Sequence, residues 1–515
     1  RAKESGFDGV ELFAAYNALI DQFWTPWSNR RDDRWGGSFE NRMRFSAEII
    51  GRIRKTVGED FIIGIAVSME PNVEVTLSLE ALQEVIAWHD QRGLIDYVTC
   101  GTGSYFDFTR LMPTFLYPDK LGADFAAGLK QAVTHARVQA ESHIRTPENA
   151  DYVIASGQAD MVSIVRGQIA DPHLANKARA GRPEDIRPCI SCNRNCWGRR
   201  FRDYWISCLV NPSAGREFEW GGDRFTPAAK PRRILVVGGG PAGLEAARVA
   251  AERGHQVTLA EASDQLGGQF RLAGLQPRRG QILDLIEWYR GQLEKLQVTV
   301  RYNALMEAAE IEASGADAVV LATGSLPDGV GFQRALPQQL AIPGIERGQV
   351  WSVEEVMARA ARPGKRVLLL DEGGNWRGCG TAWHLAEQGH EVTLLTPAAM
   401  VGKELERTSA DIGLRQRLAG FGTRFITESA VAEWHGGLGD EGGATILNLL
   451  DGSRWRLACD ALVLATPNVA EASLQGELAA QGPGSGLELH AIGDCVAPRE
   501  ANNAFFEGRR LGLTL

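Results

Sequence analysis

At 515 residues, 44% apolar and 23% charged, the chain is too long for one core and has the composition of a water-soluble enzyme of about three domains. A net charge of −9 with scattered Lys and Arg argues against nucleic acid or an anionic membrane surface as partner. No run of about 18 apolar residues could span a bilayer, and the opening "RAKESGFDGVELF" has neither the charged start nor the apolar stretch of a signal peptide, so a cytoplasmic protein is expected. That opening lacks Met and reads as a helix tail stopped at Gly6, and "EGRRLGLTL" ends abruptly, so the chain is expected to lack its front end.

Along residues 1–185, short β-type runs alternate with helical stretches. The runs are "GVELF" (9–13), "FIIGIAV" (61–67), "IDYVTC" (95–100), "ARVQA" (136–140) and "ADMVSIV" (159–165); amphipathic helices are predicted over 40–58 and 77–93. Repeated strand–helix units imply a parallel sheet with crossover helices, either a small open sheet or part of an eight-fold barrel. Residues 186–230 read as a metal loop and a Pro/Gly-containing linker. From Arg233, "RILVVGGGPAGLEAARVAAERGHQVTLAEA" is strand, glycine turn, helix, strand, and a similar unit begins at Arg366, as in folds with two nucleotide-binding domains.

Half of the chain's eight cysteines lie in "CISCNRNCWGRRFRDYWISC", spaced C-x2-C-x3-C-x11-C at Cys189, Cys192, Cys196 and Cys208. Thiolates are soft ligands that suit zinc or iron–sulfur clusters. Structural zinc sites favour paired C-x2-C units, and only one such pair is present, so a one-electron [4Fe–4S] cluster is favoured over zinc. Tyr204, Trp205 and Ile206 are candidates to shield it, and Arg194, Arg199, Arg200 and Arg202 to offset its charge or to form a solvated face. Cys100, Cys379, Cys459 and Cys495 read as buried apolar residues.

Gly238, Gly240 and Gly243 form G-x-G-x-x-G between a strand and a helix, and Glu261 closes the next strand. The first glycine permits the turn, the second admits a pyrophosphate, and the third packs helix on strand; Glu261 would accept from ribose hydroxyls and repel a 2′-phosphate. "LGGQF" with Gly268 and Gln269, "VVLATGS" with Gly324 and "HAIGDCV" with Asp494 turn the reading toward FAD or a bare ADP moiety. The second unit carries Asp371, Glu372 and Trp376 where a phosphate would lie, which disfavours dinucleotide binding there.

These stretches, with "QFWTPWSNRRDDRWGGSFENRMRF" (22–45), "DIRPCISCN" and "SCLVNPSAGRE", resemble the trimethylamine dehydrogenase and 2,4-dienoyl-CoA reductase group of the old yellow enzyme superfamily. The resemblance implies an α/β chain: a partial (β/α)8 TIM barrel (1–185) with FMN and substrate, and a [4Fe–4S] loop and linker (186–230). Two Rossmann-like nucleotide-binding domains would follow, one for FAD or ADP (231–350 plus 480–515) and a degenerate second (351–479). The flavin-facing arginine of the group is Ala66 here, its two Gly-Arg phosphate pairs are Ser142-His143 and Val165-Arg166, and its proton-donating tyrosine is Ala18. Ser142, His143 and Arg166 are the expected phosphate ligands. Phe13, Tyr16, Trp24, Trp27, Tyr105, Phe106 and Phe108 are expected to crowd the barrel mouth, where rings attract a methylated ammonium.

These features favour oxidative N-demethylation of a small methylated amine or betaine, with Tyr16 and Tyr105 as catalytic candidates and electrons passing from FMN through the cluster to an electron-transferring flavoprotein or another acceptor. A homo-oligomer is expected. The alternatives are an NAD(P)H-dependent enoate or dienoyl-CoA-type reductase and a non-catalytic electron carrier.

Overall fold

The computed structural model describes residues 1–200, 204–223, 225–437, 442–480 and 487–515, in two units, Arg1–Gln168 and Ile169–Leu515. In the first unit β1 (Gly9–Phe13), β2 (Ile62–Met69), β3 (Tyr97–Thr102), β4 (Arg137–Ala140) and β5 (Met161–Val162) form one parallel sheet in chain order. A doubly wound sheet reverses strand order at a switch point; this sheet does not, which is how successive barrel units are laid down.

The intervening helices begin where the sequence places caps. The Ser38 side chain accepts from Asn41 N ahead of Phe39–Val57, Ser78 from Ala81 N ahead of Leu79–Asp90, and Thr146 from Asn149 N ahead of Pro147–Ala155. Gly58, at φ 85°, ends the first of these. Ile63, Ile65 and Val67 of β2 are buried with Met43, Ile50, Leu82 and Ile86 in one core. The fifth run shrinks from the expected 159–165 to Met161–Val162, because four-residue β4 offers only Gln139 and Ala140 as partners.

The second unit holds two parallel sheets of like topology. One runs Glu488–Ala491, Ala318–Leu321, Arg233–Val237, Gln256–Ala260, Thr299–Arg301; the other runs Val350–Ser352, Ala461–Ala465, Arg366–Asp371, Glu391–Leu395, Arg424–Ile426. Each central strand leads into a twelve-residue helix, Pro241–Glu252 or Trp376–Glu387. An antiparallel sheet of Ser429–Trp434, Ala444–Asn448 and Arg454–Leu457 is inserted in the second.

Residues 169–185, expected with the first segment, pack with the second unit. Ala170 joins the core of Ile190, Val210 and the helix from Pro241, and Trp288 Nε1 donates to Asp185 O at 3.0 Å. Beneath the glycine turn, buried Glu245 receives Arg248, Arg509 and the Tyr289 hydroxyl. Burial alone would raise its pKa, but the two guanidiniums hold it down to about 2. Among the described helices none is long and apolar enough to cross a membrane.

Candidate active site

Gly238, Gly240, Glu261, Gly268, Gln269, Gly324 and Asp494 line one cavity of about 450 Å³. Gly243 lies under it: a Cβ there would stand 1.9 Å from Gly238 O. Gly238 has φ +108°, and its own Cβ would meet Ala322 O at 2.3 Å, so both glycines are fixed by close backbone approach. Gly240 caps the helix Pro241–Glu252 without a side chain, leaving its first amides open to an anion. Glu261 takes Gly239 N at 2.8 Å with one oxygen and Ser263 N at 2.8 Å with the other, so it holds the loop as well as lining the cavity. Burial raises the Asp494 pKa, against hydrogen bonds from Arg499 N and Ser325 Oγ. Glycines with no room for a side chain, an uncapped helix start and a carboxylate on the next strand fit an adenine dinucleotide.

The cysteine loop borders the same cavity through Ile190, Cys192 and Arg194. Ser191 (φ 52°) and Asn193 (φ 54°) are left-handed and buried, winding the loop tightly between the first three cysteines. Burial, then the charges of Cys192, Cys196 and Cys189, raises the Cys208 pKa, and burial then Cys196 pushes Cys192 up to about 12. Cysteines gathered closely enough that one's thiolate disfavours another's suit a soft cationic centre. As the loop stands, no group of three or more His, Cys, Asp or Glu among the described residues is arranged to hold a metal ion.

The apolar cover of this loop is Ile190, Leu209, Val210 and Trp197; Tyr204, Trp205 and Ile206 are more than half exposed. Tyr204 and Trp205 turn outward beneath the Arg199 guanidinium. Arg194 pairs with Glu500 and Arg200 stacks on Trp197, while Arg202 lies outside the described residues.

The second glycine turn is filled from within. The fully buried Asp371 carboxylate accepts from Gly373 N at 3.1 Å and Gly374 N at 2.9 Å, the amides a phosphate would use. Burial pushes its pKa up to about 6. The Asn375 side chain caps the following helix through Arg377 N, and Arg377 is held by Glu354 at 2.8 and 3.0 Å.

In the first unit, Tyr16 and Asn17 follow β1 with φ 60° and 63°, and Ser142 and His143 follow β4 with φ 72° and 61°. Two consecutive left-handed non-glycine residues in each strand-end turn are costly, and such strain gathers at functional sites. The Tyr16 hydroxyl donates to Glu141 Oε1 at 2.7 Å, directly over Gly101, where a Cβ would meet both atoms within 2.5 Å. Glu11 of β1 accepts from Thr99 Oγ1 at 2.5 Å and lies in electrostatic reach of both Tyr16 and Glu141. Burial raises the Glu141 pKa, Tyr16's hydrogen bond opposes this, and Glu11 adds to it. Tyr105 is half exposed and electrostatically coupled to Tyr16.

Around them Phe13, Trp27, Tyr105 and Phe106 are half exposed, in the pairs Phe13–Tyr16 (5.6 Å), Trp27–Phe106 (5.9 Å) and Tyr105–Phe108 (5.3 Å). Trp24 does not join them: it is buried, with Nε1 donating to Ser46 Oγ at 3.0 Å.

Ser142 Oγ accepts from Thr102 N at 3.0 Å, and Arg166 donates to Pro113 O at 2.7 Å. His143 is buried with Nδ1 on Pro118 O at 2.9 Å; burial, then Arg166, lowers its pKa to about 4, so it is neutral at pH 7. Arg166, in electrostatic reach of His143 in that turn, would supply the positive charge for a flavin phosphate, and such a donor fits FMN. Glu141 is the site residue that sequence reasoning missed. Its signal was a carboxylate at the C-terminal end of a strand, one position before the phosphate turn.

Residues 1–185 match the NADH:flavin oxidoreductase / NADH oxidase family and residues 233–319 the FAD dependent oxidoreductase family. The chain is 34% identical to an N,N-dimethylglycine/sarcosine dehydrogenase of Chromohalobacter salexigens, over 99% of this chain and 77% of that one. It belongs to the NADH:flavin oxidoreductase family. Within that family it is also 37% identical to an NADH oxidase of Thermoanaerobacter brockii, over 84% of this chain and 65% of that one. The solved structure of histamine dehydrogenase from Rhizobium sp. 4-9 superposes with a TM-score of 0.91 at 27% identity, covering all of this chain and 74% of that one. As a member of the family the protein is an FMN-dependent oxidoreductase, and its second unit carries the FAD-binding domain.

Proposed function

We propose that this flavoprotein oxidatively removes an N-methyl group from a small methylated amine. The carrying observation is in the first unit: half-exposed aromatic rings beside Tyr16, whose hydroxyl donates to Glu141 with Glu11 in electrostatic reach, bring together the groups that attract a cation. An enoate reductase would need a positioned acid at the place held by Ala18. The likeness to the dimethylglycine/sarcosine dehydrogenase supports this reading.

When bound, FMN supplies the hydride acceptor, a [4Fe–4S] cluster one-electron transfer, and FAD or ADP fills the nucleotide cavity. Arg166 and Ser142 would hold the FMN phosphate; Cys189, Cys192, Cys196 and Cys208 the cluster; Gly238, Gly240, Glu261, Gly324 and Asp494 the dinucleotide. The rings exclude water and hold the cationic head, and Tyr16 and Tyr105 orient it. The oxidised amine is an iminium, which water cleaves to formaldehyde and the demethylated amine. An electron-transferring flavoprotein is the proposed acceptor, and a homo-oligomer the proposed assembly.

Incubation with N,N-dimethylglycine and an artificial electron acceptor should release one formaldehyde per sarcosine formed. Acceptor reduction without formaldehyde would overturn the reading. The second reading, an NAD(P)H-dependent reductase, is favoured by the likeness to the NADH oxidase.

A further inference from the structure

We propose that the Tyr16 hydroxyl and the Glu141 carboxylate form a two-step proton relay, which lets the enzyme take secondary and tertiary N-methylamines in their protonated form and convert them in the site to the reactive free base. This deepens the demethylation reading and rests on it.

The geometry is specific. Tyr16 sits in a left-handed turn, φ 60°, held by Tyr16 N on Ser68 Oγ at 2.7 Å. Its hydroxyl reaches Glu141 Oε1 at 2.7 Å, and Gly101 is the residue that leaves room for the contact. No hydrogen-bonded turn requires this pairing, since the two residues are 125 positions apart. The rings beside Tyr16 are half exposed, and Tyr16 itself is only partly buried. The groups facing the pair are Glu11 from β1, Cys100 from β3, and Tyr105 from the loop after β3. Neither Arg nor Lys is among them, so nothing there pins Glu141 as a permanent anion.

The chemistry then follows. At neutral pH a tertiary N-methylamine is an ammonium whose nitrogen has no lone pair to expel hydride from an adjacent C–H bond. Its N–H bond breaks and the proton passes to Tyr16 Oη as the Tyr16 proton passes to Glu141, which becomes a neutral acid. The freed lone pair can then form the C=N bond of the iminium, for which bound FMN would supply the acceptor of the methyl hydride. A quaternary nitrogen has no N–H to give, so its lone pair never appears. Aromatic rings alone would hold both cations; the need for a lone pair separates them, and the relay lets the protonated tertiary amine supply one at neutral pH.

The test compares N-methylproline with its quaternary N,N-dimethyl analogue, mixed anaerobically with the holoenzyme while flavin absorbance is followed. Bleaching by the first and not the second is expected. Bleaching by both overturns the relay and leaves demethylation standing; bleaching by neither, nor by dimethylglycine, overturns demethylation and the relay with it.

The pH profile gives a second arm. In Glu141→Gln the nitrogen must arrive already deprotonated, so kcat/KM should climb about tenfold per pH unit from 7 to 9, given amine pKa values near ~10. Tyr16→Phe should behave alike, both falling about 10²-fold or more below wild type at pH 7. The wild type should be shallower over that range, and Glu141→Asp should restore its slope. A fall equal at every pH, with flavin content unchanged, would mean that the pair is structural.

Discussion

Gly243 shows how little freedom single positions have in the nucleotide site. A methyl group 1.9 Å from Gly238 O cannot be accommodated, so Gly243→Ala must push the helix off the turn whose amides face the cavity. The purified variant should keep FMN and lose FAD, checked by separating the released flavins; equal retention of both would contradict the assignment. Glu245, beneath the same turn, is held at a pKa of about 2 and balances Arg248 and Arg509. Glu245→Gln removes the buried charge that both guanidiniums share and should cost about 3–5 kcal/mol, read as a lower urea midpoint. Because the folded pKa is depressed, this stabilisation is complete above the unfolded value of about 4.3 and is lost as pH falls through about 2.

Single elements carry their own predictions. On the helix Leu79–Asp90, His89 is fully buried between Val85 O at 2.7 Å and Ser46 Oγ at 2.8 Å, and burial lowers its pKa to about 4. Its contribution is complete above the unfolded value of about 6.5 and is lost as pH falls toward 4, by about 3 kcal/mol. Urea titrations at successive pH values should show this loss, and His89→Gln should flatten it. In the second glycine turn, Asp371 occupies the amides that a dinucleotide phosphate needs. Asp371→Gly should therefore strengthen NADPH binding at least tenfold over wild type in calorimetry; unchanged affinity would mean that the turn is closed by something else.

The strands and capped helices of the first unit were readable because alternation, Ser or Thr caps and Gly stops are local signals. Met161–Val162 was over-read because its length depends on β4, a partner far away in sequence. The glycine residues around the cavity were readable because each sits at a strand end, where sequence order dictates position. Glu141 and the filling role of Asp371 were not, because both depend on which loops meet after folding. The outward-facing Tyr204 and Trp205 failed for the same reason: aromaticity says that a ring wants cover, not which side supplies it.

At the scale of the whole molecule, one unit supplies a cluster of half-exposed rings with the Tyr16–Glu141 pair, and the other a cavity fitted to a dinucleotide and bordered by the cysteine loop through Cys192. The cluster is the proposed route for electrons taken from substrate. Protein purified without oxygen should contain about four irons and four sulfides per chain; zinc in their place would remove that route.

The most direct measurement is anaerobic mixing of the holoenzyme with N,N-dimethylglycine and, separately, with NADPH, following flavin absorbance. The account predicts that the amine bleaches the flavin rapidly and that NADPH does so slowly or not at all. Rapid bleaching by NADPH with none by any methylated amine would contradict it.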